Sequence, residues 1–286
     1  MFDTIIIGAG PAGCSAALYL CRGNAKVLLL THGGSSLLKA HALESYYGLT
    51  SISGSNLYKQ GLEQVRRLGA TVQEEEVIDL SYDDKFVLQT NAGSYTSKTL
   101  IMATGSVRTT LPLPGLKELE GKGVSYCAVC DGFFFRKKKV AVLGNGAFAL
   151  HEAAVLEPLA ATTTLLTDGK NIPAGSNLPG VDKKIAALEG TMHLTGIKFA
   201  DGSRLDLDGL FVALGTADTN ALARKLGLVL ENNYLTVDKE MHTNIPGVFA
   251  AGDCIGGLNQ VATAVGEGAI AGMEALKFIR AMAQHI

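Results

Sequence analysis

The chain has 286 residues, 47% hydrophobic and 18% charged, which supports one large or two medium cores and excludes a disordered chain. Twenty-five basic against twenty-seven acidic residues leave a net charge of −2, which argues against a nucleic-acid protein. Five cysteines, an odd number thinly spread, do not form a secreted disulfide scaffold.

No secretory signal is expected at the N-terminus, because such a peptide starts basic, whereas Asp3 stands here and the apolar run breaks at Gly8. No apolar run approaches the roughly 20 residues of a bilayer crossing. The expectation is a soluble cytoplasmic protein with no membrane partner.

Phe2 to Ile7 is an apolar, β-branched run of the kind that forms a parallel strand buried on both faces. Gly8-Ala9-Gly10-Pro11-Ala12-Gly13 follows as a full G-x-G-x-x-G, then Cys14 to Cys21 is helical in character and Lys26 to Leu30 is a second strand. In that context the glycines permit a tight turn and close approach to a pyrophosphate, which sits on the N–H groups of the helix N-terminus. Leu100-Ile101-Met102 reads as a buried strand ending in the small-residue turn Ala103-Thr104-Gly105. Leu111-Pro112-Leu113-Pro114-Gly115 is extended and proline-limited, as in a linker.

Cys127-Ala128-Val129-Cys130-Asp131-Gly132 is the chemical centre. A C-x-x-C is half of a zinc site or a redox disulfide. No second C-x-x-C or C-x-x-H exists, and Cys14, Cys21 and Cys254 stand apart, so redox chemistry is favoured and no metal is expected. One sulfur then attacks a partner and the other resolves the mixed disulfide. Asp131 is a proton shuttle for that exchange or an ordinary turn residue before glycine. The run Arg136-Lys137-Lys138-Lys139 is a solvated strand start or a basic patch that steers an acidic protein partner.

A second strand–turn–helix unit begins at Lys139 to Leu143, turns at Gly144-Asn145-Gly146-Ala147-Phe148-Ala149, continues as helix over Leu150 to Glu157 before Pro158, and ends in a strand at Thr162 to Leu166. A nucleotide fold of this kind can outlive its ligand. Leu210 to Leu214 reads as a further strand. Gly247 to Asp253 reads as a strand leading into Gly252-Asp253, whose carboxylate suits a ribityl or ribose hydroxyl. Val261 to Ala283 reads as a long helix with small residues near its start.

These motifs resemble the low-molecular-weight thioredoxin reductases over nearly the whole chain, above all in the cysteine pair followed by Asp131-Gly132-Phe133-Phe134 between two dinucleotide turns. The resemblance implies an α/β flavin-disulfide reductase architecture of two Rossmann-like domains, the second inserted into the first. An FAD-binding domain would comprise 1–113 plus 243–286, and a shortened NAD(P)H-type domain 114–242 would carry the cysteines. It implies FAD contacts at Gly8, Gly10, Pro11, Ala12, Gly13, Thr31, Ala103, Thr104, Gly105, Gly252, Asp253, Gln260 and Val261. It also implies that Cys130 receives electrons from the flavin, that Cys127 attacks the disulfide of a thioredoxin, that Asp131 is the acid–base group, and that the enzyme is a homodimer.

The chain departs from that family where NADPH binds. The family's His-Arg-Arg run, whose cations neutralise the 2′-phosphate, is replaced by Leu166-Thr167-Asp168-Gly169-Lys170. Thr167 lies as far from Gly144 as Thr31 lies from Gly8, so the second domain holds a second FAD or is a vacant relic. The family's Arg-Gln-Ala near the flavin becomes Asn259-Gln260-Val261. Such departures resemble the pyridine-nucleotide-independent relatives, which draw electrons from ferredoxin or through a second flavin. The expected function is a disulfide reductase with a donor other than NADPH; the alternatives are an NAD(P)H-dependent enzyme with a non-standard pocket and a flavin-bound redox sensor.

Overall fold

The Phe2–Ile7 run forms β1, and the first glycine turn opens directly into α1 (Pro11–Arg22), with Gly10 as N-cap and proline pre-set for the first helical turn. The helix therefore starts three residues earlier than the apolar pattern suggests. In a computed structural model, residues 1–105, 112–173, 176–214 and 219–284 are described, with the side chains of Lys39, Cys130 and Thr219 outside that description. Leu111 of the expected linker also lies outside the described residues.

After α1 come β2 (Val27–Thr31), α2 (Gly54–Arg67), β3 (Thr71–Glu74), β4 (Val77–Asp83), β5 (Lys85–Thr90) and β6 (Ser94–Met102). Next in the chain are β7 (Val124–Ser125), α3 (Ala128–Asp131), β8 (Lys139–Leu143), α4 (Ala147–Leu156), β9 (Thr162–Leu166) and β10 (Gly180–Val181). They are followed by β11 (Ile185–Glu189), β12 (Gly196–Phe199), β13 (Arg204–Asp206) and β14 (Gly209–Val212). The last elements are α5 (Thr219–Leu226), β15 (Leu230–Glu231), β16 (Tyr234–Leu235), β17 (Val248–Ala250) and α6 (Val261–Gln284).

The chain divides into two compact units, Met1–Val107 with Asp218–Ile286, and Arg108–Ala217. The expected boundaries at 113/114 and 242/243 are corrected accordingly. Pro114 belongs to the inserted unit, where its carbonyl accepts the Leu188 N–H at 2.9 Å. The stretch after Asp218 belongs to the first unit because α5 packs on β4, and the nearly inaccessible Lys225 ammonium meets Asp79 at 2.8 Å.

In the first unit a sheet runs β3-β2-β1-β6-β5-β4, with β17 also paired to β6. Strands β3, β2, β1, β6 and β17 are mutually parallel, and β4 and β5 continue antiparallel from β6. Strands β2 and β17 and the carboxyl-terminal halves of β1 and β6 are buried, as a sheet covered on both faces requires, whereas β3 at the edge is largely exposed. Helix α6 lies against α1 so closely that a Cβ on Gly268 would come 2.1 Å from the Ala12 carbonyl oxygen, and one on Gly272 would come 2.6 Å from that of Ala16.

The inserted unit repeats the plan with a parallel sheet β10-β9-β8-β14-β7 and a separate antiparallel sheet β11-β12-β13. Its core joins Ala141, Leu143, Leu166 and Leu210 from the parallel sheet to Ile185, Leu188, Ile197 and Phe199 from the antiparallel one.

Candidate functional site

The first glycine turn is shaped by contacts that exclude side chains. Gly8 has φ +109°, and a Cβ there would lie 2.1 Å from the Ala103 carbonyl oxygen; one on Gly13 would lie 1.8 Å from that of Gly8. The Ala103 N–H in turn bonds the Ile7 carbonyl at 2.8 Å, which brings Ala103-Thr104-Gly105 beside the turn at the carboxyl ends of β1 and β6. A Cβ on Gly10 would meet nothing closer than Ser35 Oγ at 3.3 Å, so the backbone there is open to a ligand. A cavity of about 160 Å³ adjoins it, lined among others by Gly10, Pro11, Ser15, Leu37, Tyr46 and Val261. Gln260 is exposed just before α6, and Val261 is half-buried in the cavity wall.

Gly252 (φ +83°) packs against Ala12, and its N–H is held by Glu267 Oε2 at 2.9 Å. This sets Asp253, half-buried, beside the first glycine turn. Burial pushes the Asp253 carboxyl up. Burial also raises Glu267, the Gly252 N–H opposes the rise, and the neighbouring Asp253 adds to it. Glu267 was not legible as a functional residue, since it reads as one polar position of a mostly apolar helix. Thr31, at the end of β2, is buried with its hydroxyl 3.3 Å from that of Tyr58.

In the inserted unit, Cys127 is disulfide-bonded and 1% exposed, whereas Cys14, Cys21 and Cys254 are free. The side chain of Cys130 lies outside the described residues. Ser125, the last residue of β7, links the cysteine to the carboxylate: its hydroxyl donates to Asp131 Oδ2 at 2.6 Å and accepts the Cys127 N–H at 3.1 Å. The Asp131 N–H bonds the Cys127 carbonyl at 3.1 Å, closing the single turn of α3. A further carboxylate, Glu152 of α4, is buried behind this turn and accepts the Ala128 N–H at 2.6 Å. Neither Ser125 nor Glu152 could be read from the sequence, because each acts through a backbone amide that only the fold brings to it.

The second glycine turn copies the first. Gly144 N–H bonds the Leu166 carbonyl at 2.8 Å as Gly8 N–H bonds that of Leu30, and a Gly144 Cβ would lie 2.1 Å from the Ala213 carbonyl oxygen. The end of β9 differs. Thr167 is buried and donates to the Lys170 carbonyl. Asp168 (φ +51°) accepts the Ile185 N–H at 2.8 Å with one oxygen and pairs with Lys184 Nζ at 2.5 Å with the other. Lys184, sixteen residues further along the chain, thus supplies a cation to Asp168.

Two strand–turn–helix units and a disulfide-bonded cysteine on a C-x-x-C turn match, at residues 2–199 and 180–268, the family described as pyridine nucleotide-disulphide oxidoreductase. The chain belongs to this family. Within it, the chain is of the low-molecular-weight thioredoxin reductase type, a flavoprotein oxidoreductase. It is 33% identical to the thioredoxin reductase of Listeria monocytogenes over 308 residues, covering 100% of this chain and 96% of that one. Its fold is similar to that of the atypical thioredoxin reductase TRi from Desulfovibrio vulgaris Hildenborough, at 37% identity and a TM-score of 0.94, over 98% of this chain and 99% of that one. It is also similar to a ferredoxin-flavin thioredoxin reductase from Clostridium acetobutylicum, at 28% identity and a TM-score of 0.74, over 98% of both chains. Among the described residues no helix is long and apolar enough to cross a membrane. The family implies FAD, and the first glycine turn fits it: the Gly10 backbone is open, the cradle admits no side chain at Gly8 or Gly13, and Asp253 stands beside it.

Proposed function

We propose that this chain reduces the disulfide of a thioredoxin or a similar protein, drawing electrons from a donor other than NADPH. That donor is a ferredoxin or a second flavin, and the enzyme works as a cytoplasmic homodimer. The residues around the first glycine turn and Gly252-Asp253 would hold FAD, which would supply the electron pair when bound. In the reduced enzyme the Cys127 thiolate attacks one sulfur of the partner's disulfide, forming a mixed disulfide and releasing the partner's second thiolate. Cys130 then attacks Cys127, restoring the intramolecular disulfide and releasing the partner as a dithiol. Asp131, held by the Ser125 hydroxyl, takes and returns the proton that this exchange moves.

The observation that carries the choice of donor is the pairing of Asp168 with Lys184. A 2′-phosphate needs cations, and Lys184, which reaches the end of β9, is already paired with Asp168. NADH is disfavoured less strongly: no acidic residue stands at Thr167, although Asp168 follows it directly. A protein donor needs only a docking surface, in keeping with the likeness to a ferredoxin-flavin thioredoxin reductase.

The test is anaerobic stopped-flow mixing of the oxidised enzyme with NADPH, NADH or reduced ferredoxin while the flavin absorbance is followed. Bleaching is expected with ferredoxin only. Saturable bleaching within seconds by NADPH would make this an ordinary NADPH-dependent thioredoxin reductase.

A further inference from the structure

Glu76 is a buried carboxylate with an oxygen that the protein leaves unanswered. It follows β3, is 7% exposed, and its Oε1 has no hydrogen-bond partner among the described residues. Its main chain is fully used: the N–H donates to Asn91 Oδ1 and the carbonyl accepts the Asn91 N–H, each at 3.0 Å. The preceding Glu75 is satisfied on both oxygens, by Thr90 Oγ1 at 2.6 Å and Tyr95 OH at 2.7 Å. Burial pushes the Glu76 carboxyl up, and His32, the residue after β2, draws it partly back. A desolvated carboxylate oxygen calls for a donor, and hydroxyl groups answer it well.

Its place in the fold names the donor. The parallel register sets Thr31 opposite Glu74, and the Glu75 N–H bonds the Thr31 carbonyl at 2.8 Å, so Glu76 leaves the carboxyl edge of the sheet one strand outward from the end of β2. In a dinucleotide fold the ribose beyond the pyrophosphate is held at that edge, ordinarily by an acidic residue near the end of β2. Here Thr31 stands there, 9% exposed and bonded to Tyr58. We propose that Glu76 takes over this role from the neighbouring strand, its carboxylate accepting the 2′-hydroxyl of the adenosine ribose of FAD. The proposal rests on the reading of the first glycine turn as the FAD site.

Apoprotein is titrated, by flavin fluorescence, with FAD and with the FAD analogue that lacks the 2′-hydroxyl of the adenosine ribose. Wild type is expected to bind FAD roughly ten-fold tighter than the analogue, the worth of one hydrogen bond to a charged acceptor. Glu76→Ala is expected to lose that preference while keeping its affinity for the analogue; Glu76→Met, which fills similar space without a hydrogen-bond acceptor of comparable strength, carries the test if the alanine variant does not fold. His32→Ala is expected to keep the preference. An equal affinity of wild type for both flavins, or an undiminished preference in the Glu76 variants, overturns the proposal. Binding of neither flavin by wild type overturns the FAD reading, and this proposal with it.

Discussion

At the scale of single residues, two carboxylates, the buried Glu152 and the half-buried Glu267, do the least visible positioning. Glu152 answers the Ala128 N–H at the start of the redox turn, a donor that has no intrahelical acceptor. Glu152→Ala is expected to destabilise the inserted unit by about 1–3 kcal/mol, the cost of an unsatisfied buried amide. Glu152→Gln, which keeps an acceptor, is expected to recover most of that loss, and urea unfolding of the two variants measures the difference. Glu267 poses the opposite problem. Its carboxyl is raised by burial and by the nearby Asp253, so the folded state holds its proton more tightly than the unfolded chain does. Its contribution to stability is therefore fully present below the ordinary carboxylate range and is lost as pH rises through the raised value. Glu267→Gln keeps an acceptor for the Gly252 N–H and removes the charge. It is expected to melt roughly 2 °C higher than wild type at pH 7 and no higher at pH 4, in thermal scans across that range.

At the scale of elements, the first glycine turn depends on how closely α6 approaches α1. Gly268 and Gly272 give α6 a flat face against the Ala12 and Ala16 backbone, and Ser15 Oγ donates to the Val265 carbonyl at 2.7 Å. Gly268→Val would drive a side chain into the Ala12 carbonyl and push apart the helix that begins at the glycine turn. A loss of about 3 kcal/mol or more is expected, with a parallel fall in FAD affinity. Denaturant unfolding and flavin titration check both. Retained flavin affinity at reduced stability would mean that the cradle does not need this contact.

At the scale of the whole molecule, the inserted unit carries exposed aromatic and basic side chains around the cysteine turn. Val129, Phe133 and Phe134 are exposed around the redox turn, and Arg136, Lys137, Lys138 and Lys139 are exposed just after it. Arg136 lies over the Phe133 ring and Lys138 over that of Phe135, so the cations and aromatics form one surface of the inserted unit. Opposite charge on a partner would raise the encounter rate at low salt and lose that advantage once the Debye length shrinks. Lys137→Glu with Lys138→Glu is expected to slow reduction of an acidic thioredoxin roughly ten-fold at low ionic strength and to match wild type near 1 M salt. Turnover measured as a function of salt decides it.

The glycine turns, the strands at Phe2–Ile7, Lys139–Leu143 and Thr162–Leu166, the long last helix and the cysteine pair are all written locally. Each follows from hydrophobic runs, glycine spacing or a four-residue motif, which a chain carries whatever its tertiary contacts. The limits of the two units were not legible, because α5 joins the first unit through its packing on β4 and a buried Lys225–Asp79 pair 146 positions apart in the chain. Nor were Ser125, Glu152, Glu76 and Glu267, whose types and spacing match no motif. Their roles come from backbone amides and burial that exist only after the sheets assemble. Asp168 was legible as an acidic residue in the wrong place for NADPH; that Lys184 and the Ile185 amide occupy both its oxygens was settled by the fold. Local sequence specifies which chemistry a residue carries, whereas tertiary packing decides which of those groups are already satisfied and which are left for a ligand.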